Sequence, residues 1–396
     1  RATRRRRGVI AGLLALTVIA ASAAGIAVNT AVNASTQHAI ALSRLLTEEG
    51  LALAPSDPLT ARRLVVAAWR VYPTSQAGTA MMTLLTEQQQ SGILPGSPSS
   101  GGVEGVAFSP DGKLLASAYG NGTVRLWNPA TGQAVGVPIT PDTSTGAGVY
   151  GVAFSPNGKL LASADADDTV RLWNPATGRE VGAPLQADPH GLGEGVLGVA
   201  FSPDGKLLAS AYVDGTVTLW NTATRQEVDS PITAATNRTG GGVNGVAFSP
   251  DSKMLASADV DTVNLWNTAT RQEVGAPLPA GTGTGGGVNG VAFSPDGTLL
   301  ASADADGTVK LWNTATRQEV GAPLPAGTGT RGGVNGVAFS PDSTLLASAY
   351  SDGTVQTWQV SLFADPYAAL CADVGPPTKA DWTQYAPGEP QPSVCG

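Results

Sequence analysis

Residues 106–132 read VAFSPDGKLLASAYGNGTVRLWNPATG, and their punctuation decides the fold. Val106-Ala107-Phe108 is a short β-prone run stopped by Ser109-Pro110-Asp111-Gly112, where Asp-Gly suits a hairpin turn that needs positive φ. Leu114 to Ala118 is the next run, Gly120-Asn121-Gly122 turns the chain, and Thr123 to Trp127 brings it back. Asn128-Pro129-Ala130-Thr131-Gly132 makes a third turn before Ala134-Val135-Gly136-Val137. The unit is therefore four short strands joined by tight turns. A sheet that small must find neighbours to cover its faces.

The neighbours are copies of itself. VAFSP recurs with Phe at 108, 154, 201, 248, 293 and 339, at intervals of 46, 47, 47, 45 and 46 residues. The turn reads SPNG in the second copy and SPDS in the fourth and sixth. Each copy continues as LLAS or MLAS, a tight and mostly acidic turn, and TV-x-LW (TVQTW in the last). Trp appears once per copy, at Trp127, Trp173, Trp220, Trp266, Trp312 and Trp358, with only Trp69 and Trp382 elsewhere. This period and content, over residues 92–360, resemble the WD-repeat family. The resemblance implies four-stranded propeller blades and an all-β propeller of six, with the six tryptophans packed between blades. In that family a repeat supplies the outer strand of one blade and the inner three of the next. Gly92-Ile93-Leu94-Pro95 matches the Ala-Pro-Leu-Pro pieces at 276–279 and 322–325, so it is expected to pair with Thr354–Val360 and close the ring.

The chain also departs from the family. WD repeats usually carry a His that joins a Ser, an Asp and the Trp in a buried tetrad. Here the only histidines are His38 and His190, so every tetrad lacks that member. The matching serines remain at 117, 163, 210, 257, 302 and 348, and turn acids remain at Asp167, Asp214, Asp261, Asp306 and Asp352, with Asn121 in the first copy. Two positions vary among otherwise near-identical copies. After Ser-Ala stand Tyr119, Asp165, Tyr212, Asp259, Asp304 and Tyr350. The resemblance places them near the face and channel rim that contact partners, as amphipathic anchors suited to a basic or mixed peptide. The start of the inner strand also varies, through Glu104, Tyr150, Leu197, Asn244, Asn289 and Asn335.

Chemistry-bearing motifs are scarce. No Gly-rich loop runs into Lys-Ser/Thr, and two isolated histidines make neither a repeated metal site nor a triad. Ser302 to Gly307 mimics a calcium loop but lacks the downstream Glu, so it reads as a blade turn. The expectation is no enzyme, no cofactor and no metal. The net charge is −8, and five arginines lie in the first seven residues, so the rest carries −8 − 5 = −13. An acidic body argues against nucleic acid.

Outside the repeats, residues 8–28 are uncharged and apolar behind the basic flank 1–7, which reads as a transmembrane helix with the propeller outside the cytoplasm. A signal peptide cleaved near Ala21-Ser22-Ala23, or a cytoplasmic location, is the alternative. Residues 36–90 read as a helical stalk, with Ser56 or Asp57 capping its second helix, and 361–396 as a C-terminal extension. Cys371 and Cys395 are the only thiols, free or bridged according to the compartment. The stretch Asp57 to Arg70 and the tail resemble actinobacterial signalling ATPases of the STAND/NACHT-like kind, which join an ATPase module, a membrane span and WD repeats. The expected function is a membrane-anchored interaction scaffold or sensor binding a protein or peptide. The alternative is a secreted or surface ligand-binding or hydrolytic propeller using its central channel.

Overall fold

The computed structural model describes residues 32–86, 93–94, 102–140, 148–186, 195–234, 242–281, 287–320, 323–325, 333–360 and 366–395. They fall into two compact units, Thr86–Ala364 and a second made of Arg1–Leu85 with Asp365–Gly396.

The first unit is an all-β propeller. Blade 1 is the antiparallel sheet Val103–Phe108, Leu115–Tyr119, Val124–Trp127 and Ala134–Ile139, from the channel outward. Five more sheets follow the same order, with inner strands Val149–Phe154, Val196–Phe201, Gly245–Phe248, Val288–Phe293 and Val334–Phe339, the Gly245 sheet having three strands and an outer bridge at Val263–Leu278. Each inner strand neighbours the next, and that of blade 6 neighbours that of blade 1, so the ring is closed. The outer strand of blade 6 is Ile93–Leu94, paired antiparallel with Gln356 and Val355. Leu94 lies opposite Val355 as Leu278 lies opposite Val263 and Leu324 opposite Val309. One apolar residue thus occupies the same register in the clasp as in blades closed by continuous chain.

The core lies between blades. Trp173 packs with Ala116, Val124 and Leu126 of blade 1, and Trp220 with Ala164, Val170 and Leu172 of blade 2. Trp127 packs with Ala347, Ala349 and Val355 of blade 6, which seals the join. In all six blades the indole N–H donates to the Ser of the same sheet, at 2.7–3.1 Å. The only polar atom of each buried indole is thereby satisfied.

Two local devices hold the blades' shape. At the first turn Ser109 Oγ donates to Asp111 and accepts from the Leu114 N–H, which fixes the hairpin. Gly112 there has φ +69°, and Ser252 and Ser343 adopt +60° and +58° in the two copies that lack the glycine. At the hub, Gly105, Gly151, Gly198, Gly245, Gly290 and Gly336 each face the next blade's backbone. A Cβ on Gly105 would lie 2.9 Å from the Tyr150 carbonyl oxygen, and one on Gly245 3.0 Å from Gly290 Cα. Only glycine allows the inner strands to come that close.

The second unit is helical. It contains α1 (32–53), α2 (Pro58–Val71), α3 (Ser75–Thr86), α4 (Pro366–Val374) and α5 (Lys379–Tyr385). Asp57 caps α2 through the Thr60 N–H, with Pro58 in its first turn. Leu64, Val65, Ala67 and Ala68 are buried, as are Leu370 and Trp382 of the tail. Arg62 pairs with Asp373, Arg63 donates to the Val374 carbonyl at 3.0 Å, and Arg70 donates to that of Ser393 at 3.0 Å. A disulfide joins Cys371 to Cys395. Helices before the propeller and the tail helices α4 and α5, separate in sequence, thus share one compact unit.

The single-pass membrane location expected from sequence is not upheld. Among the described residues no helix is long and apolar enough to cross a membrane. The span assigned to residues 8–28, with its flank 1–7, lies outside the described residues.

Candidate functional site

The two sets of varying residues meet different fates. Tyr119, Asp165, Tyr212, Asp304 and Tyr350, expected on a partner face, are buried, at most 7% exposed; Asp259 is half-buried. The reason is strand register. These residues end the second strand and pair with the first residue of the inner strand, as Tyr119 does with Val103 and Asp165 with Val149. They stand two residues beyond the tetrad Ser and so share its face of the sheet. The Tyr212 hydroxyl lies 2.6 Å from Ser210 Oγ, and Ser348 Oγ donates to that of Tyr350 at 3.0 Å. Asp165 accepts from Ser163 at 3.2 Å and from Arg171 at 2.7 Å, and Asp304 pairs with Lys310 at 3.0 Å. Tyr212, Tyr350 and Asp165 thus bond the Ser that also takes the indole N–H. All but Asp259 are interior polar groups rather than exposed side chains.

Their electrostatics follow from burial. Desolvation pushes the Asp165 carboxyl up to about 6 against the pull of Arg171, and Asp304 up to about 6 against that of Lys310. Tyr119 is also raised by burial. None of these groups faces solvent as a nucleophile or base must.

The other varying set lies at the channel. Glu104, Tyr150, Leu197, Asn244, Asn289 and Asn335 line the central cavity, and all six are half-buried. Their register explains the position. The pairing of the inner with the second strand shifts between Val103 and Gly105, Val149 and Gly151, Val196 and Gly198, Val288 and Gly290, and Val334 and Gly336. The skipped residue in each is the varying one. A bulge takes a residue out of the ladder and re-aims its side chain, here into the channel.

Half of the ring is bolted across blades by amides. Asn244 Nδ2 donates to the Val288 carbonyl at 3.0 Å, Asn289 to that of Val334 at 2.9 Å, and Asn335 to that of Val103 at 3.0 Å. Asn335 also donates to Glu104 Oε2 at 3.0 Å. Burial raises the Glu104 carboxyl. At the same end stand the turns between second and third strands, because antiparallel strands return the chain to where the inner strand began. Gly120 N–H bonds to the Gly102 carbonyl and Ala305 N–H to that of Gly287, which ties these turns to the inner-strand starts. Their acids serve the turn itself: Asp214 and Asp306 each accept from a Thr N–H and hydroxyl two residues on.

The cavity holds about 70 Å³, room for a few waters or one side-chain head and far below the roughly 300–1,000 Å³ of a small-molecule pocket. Among the described residues no group of three or more His, Cys, Asp or Glu is placed to hold a metal.

A family model described as IFT122 first beta-propeller matches residues 149–364, more than half of the chain. The chain belongs to that family of β-propellers. A model for the WD domain, G-beta repeat, matches residues 88–128, which hold the clasp strand and most of blade 1, so the WD-repeat propeller is covered through all six blades. No curated protein matches the chain. These matches do not extend to the resemblance of residues 57–70 and the tail to signalling ATPases. WD-repeat propellers generally act as non-enzymatic scaffolds that bind protein partners.

Sequence reasoning noticed Glu104 and its counterparts as variable without placing them. The available signal was their position directly before an invariant Gly-Val-Ala-Phe. The bulge that makes them channel residues leaves no mark on residue type.

Proposed function

We propose that this chain is a protein-interaction scaffold whose partner docks on the end of the ring where the inner strands begin. One observation carries it: near-identical blades carry four residue types, Glu, Tyr, Leu and Asn, at the inner-strand starts that line the channel mouth. The Asn residues bolt adjoining blades, but a ring selected only for stability has no use for a different residue, Glu104, Tyr150 or Leu197, at each of the other three positions. A recognition surface does, because each blade then offers a different contact on a rigid frame. The hydrolytic or small-ligand reading of the channel finds no support in a cavity of about 70 Å³ whose lining pairs no nucleophile with a base.

The test is site-specific photo-crosslinking. A benzophenone amino acid replaces Tyr150 or Leu197 at the mouth, or Lys113 in a first-turn hairpin at the opposite end, in the full chain expressed in its native host. Discrete adducts from positions 150 and 197, absent from 113, are expected. Adducts only from 113, or equal capture from all three, defeat the reading.

A further inference from the structure

The channel mouth is unevenly furnished, and the unevenness points to a ligand chemistry. Asn244, Asn289 and Asn335 spend their amide donors on carbonyls of the next blade. Glu104, on blade 1, is the one acid in the lining. It follows the last Asn of the series and precedes Tyr150 of blade 2, the one aromatic in the lining. Its Oε2 accepts from the neutral Asn335 amide, and among the described residues no cation forms an ion pair with it.

We infer that Glu104, with Tyr150 and Asn335 beside it, forms a hole for one cationic side chain, a lysine or arginine of the docking partner. The inference rests on the scaffold reading and names the partner's chemistry. Four observations converge. A β-bulge turns Glu104 out of the ladder and into the cavity. The cavity of about 70 Å³ suits an ammonium or guanidinium head and its last methylenes. Glu104 is a half-buried carboxylate that pairs with no cation among the described residues, and a desolvated ion pair offsets the cost of such a charge. Tyr150 lines the same cavity, and an aromatic ring there suits a cationic head. The field agrees: acids at Asp214, Asp261 and Asp306 occupy turns on that end, and the whole chain is acidic at −8, so a basic segment is drawn toward the mouth. The bolted Asn amides keep the hole from collapsing, which is preorganisation on the protein's side.

The test titrates the full chain with N-acetyl-arginine methylamide, N-acetyl-lysine methylamide and the neutral isostere N-acetyl-citrulline methylamide, reading the Asn335 side-chain amide and Tyr150 ring signals by NMR. A cationic probe is expected to shift both signals saturably, with citrulline at least tenfold weaker. The arginine and lysine arms show which head fits. Glu104→Gln keeps size and hydrogen bonding, and is expected to weaken the cationic probe at least tenfold while leaving the Trp side-chain signals of the blades unchanged. Tyr150→Phe serves as a second variant that keeps the ring, with a loss of threefold or less. Cation binding that ignores Glu104→Gln, or no preference over citrulline, overturns the hole. Either result leaves the scaffold reading intact where crosslinks from Tyr150 and Leu197 persist. Loss of those crosslinks removes the docking surface whatever the probes do.

Discussion

At the residue scale the instructive group is Asp165. It sits on the tetrad face, fully buried, with Ser163, Arg171 and Asp167 around it and Glu180 reaching the same guanidinium. Burial, and less strongly the Asp167 charge, penalise its ionisation while Arg171 and Ser163 favour it, and burial wins by lifting the carboxyl from 3.8 to about 6. The sign of the stability effect follows. Native Asp165 keeps its proton to higher pH than the unfolded chain does, so its contribution is present in full below about pH 4 and is lost as pH rises through about 6. In Asp165→Asn that titration is absent. Unfolding free energies of the wild type and of this variant from urea titrations at pH 4 to 7.5 are expected to diverge by on the order of 2 kcal/mol, the wild type losing ground as pH rises. A constant difference, or a wild-type gain toward neutral pH, shows instead that pairing with Arg171 outweighs desolvation. Asp304 with Lys310 repeats the arrangement in blade 5.

At the element scale the blade is set by its turns and the ring by its glycines. Gly105 takes no unusual φ, so its role is room. An added Cβ meets the Tyr150 carbonyl oxygen at 2.9 Å and Gly151 Cα at 3.1 Å, both backbone. Gly105→Ala must therefore part the inner strands of blades 1 and 2, with an expected cost of about 1–3 kcal/mol. Gly136→Ala is the matched control: its φ of +75° is strained for alanine, yet no atom lies within 4 Å of the new Cβ. Chemical denaturation of both variants separates crowding from backbone strain, and equal losses refute the crowding argument. These elements differ in how plainly the sequence shows them. Turns were legible because Ser-Pro-Asp-Gly and Asn-Pro-Ala-Thr-Gly have a local chemistry that works in isolation. The clasp was legible because Ile93-Leu94 repeats a motif present elsewhere in the chain. The second strand runs one residue beyond the Leu114–Ala118 run, to Tyr119. Period-two alternation from Ser117 puts Tyr119 on the buried face. The bulge at Glu104 was not legible, since it answers to the curvature of six inner strands around a shared hub.

At the scale of the whole molecule, helices from before and after the propeller come together. The helices before the propeller and the tail after it make one compact unit, so the repeats stand as an insertion within it. Such a unit pays a large entropy cost to bring segments nearly three hundred residues apart together. Its cohesion rests on a few features. Leu64, Val65 and Ala68 are buried, Arg62 and Arg63 reach Asp373 and Val374, and Trp382 donates to the Glu389 carbonyl at 2.8 Å. The Cys371–Cys395 bridge closes a loop of 24 residues wholly inside the tail. It cannot join tail to helices directly, but it limits the freedom of the unfolded tail, a contribution of about 3 kcal/mol on the chain-entropy account. That stabilisation acts through α4 and α5, which carry the contacts to α2. Replacing both cysteines by serine is accordingly expected to raise amide exchange in α4, α5 and α2, with the blade strands keeping their protection. Hydrogen exchange resolved by mass spectrometry reads the two regions in one experiment. Exchange that stays slow in α2 while α4 and α5 open shows the helices to be stable without the tail. Faster exchange across the blades as well shows the two units to unfold as one.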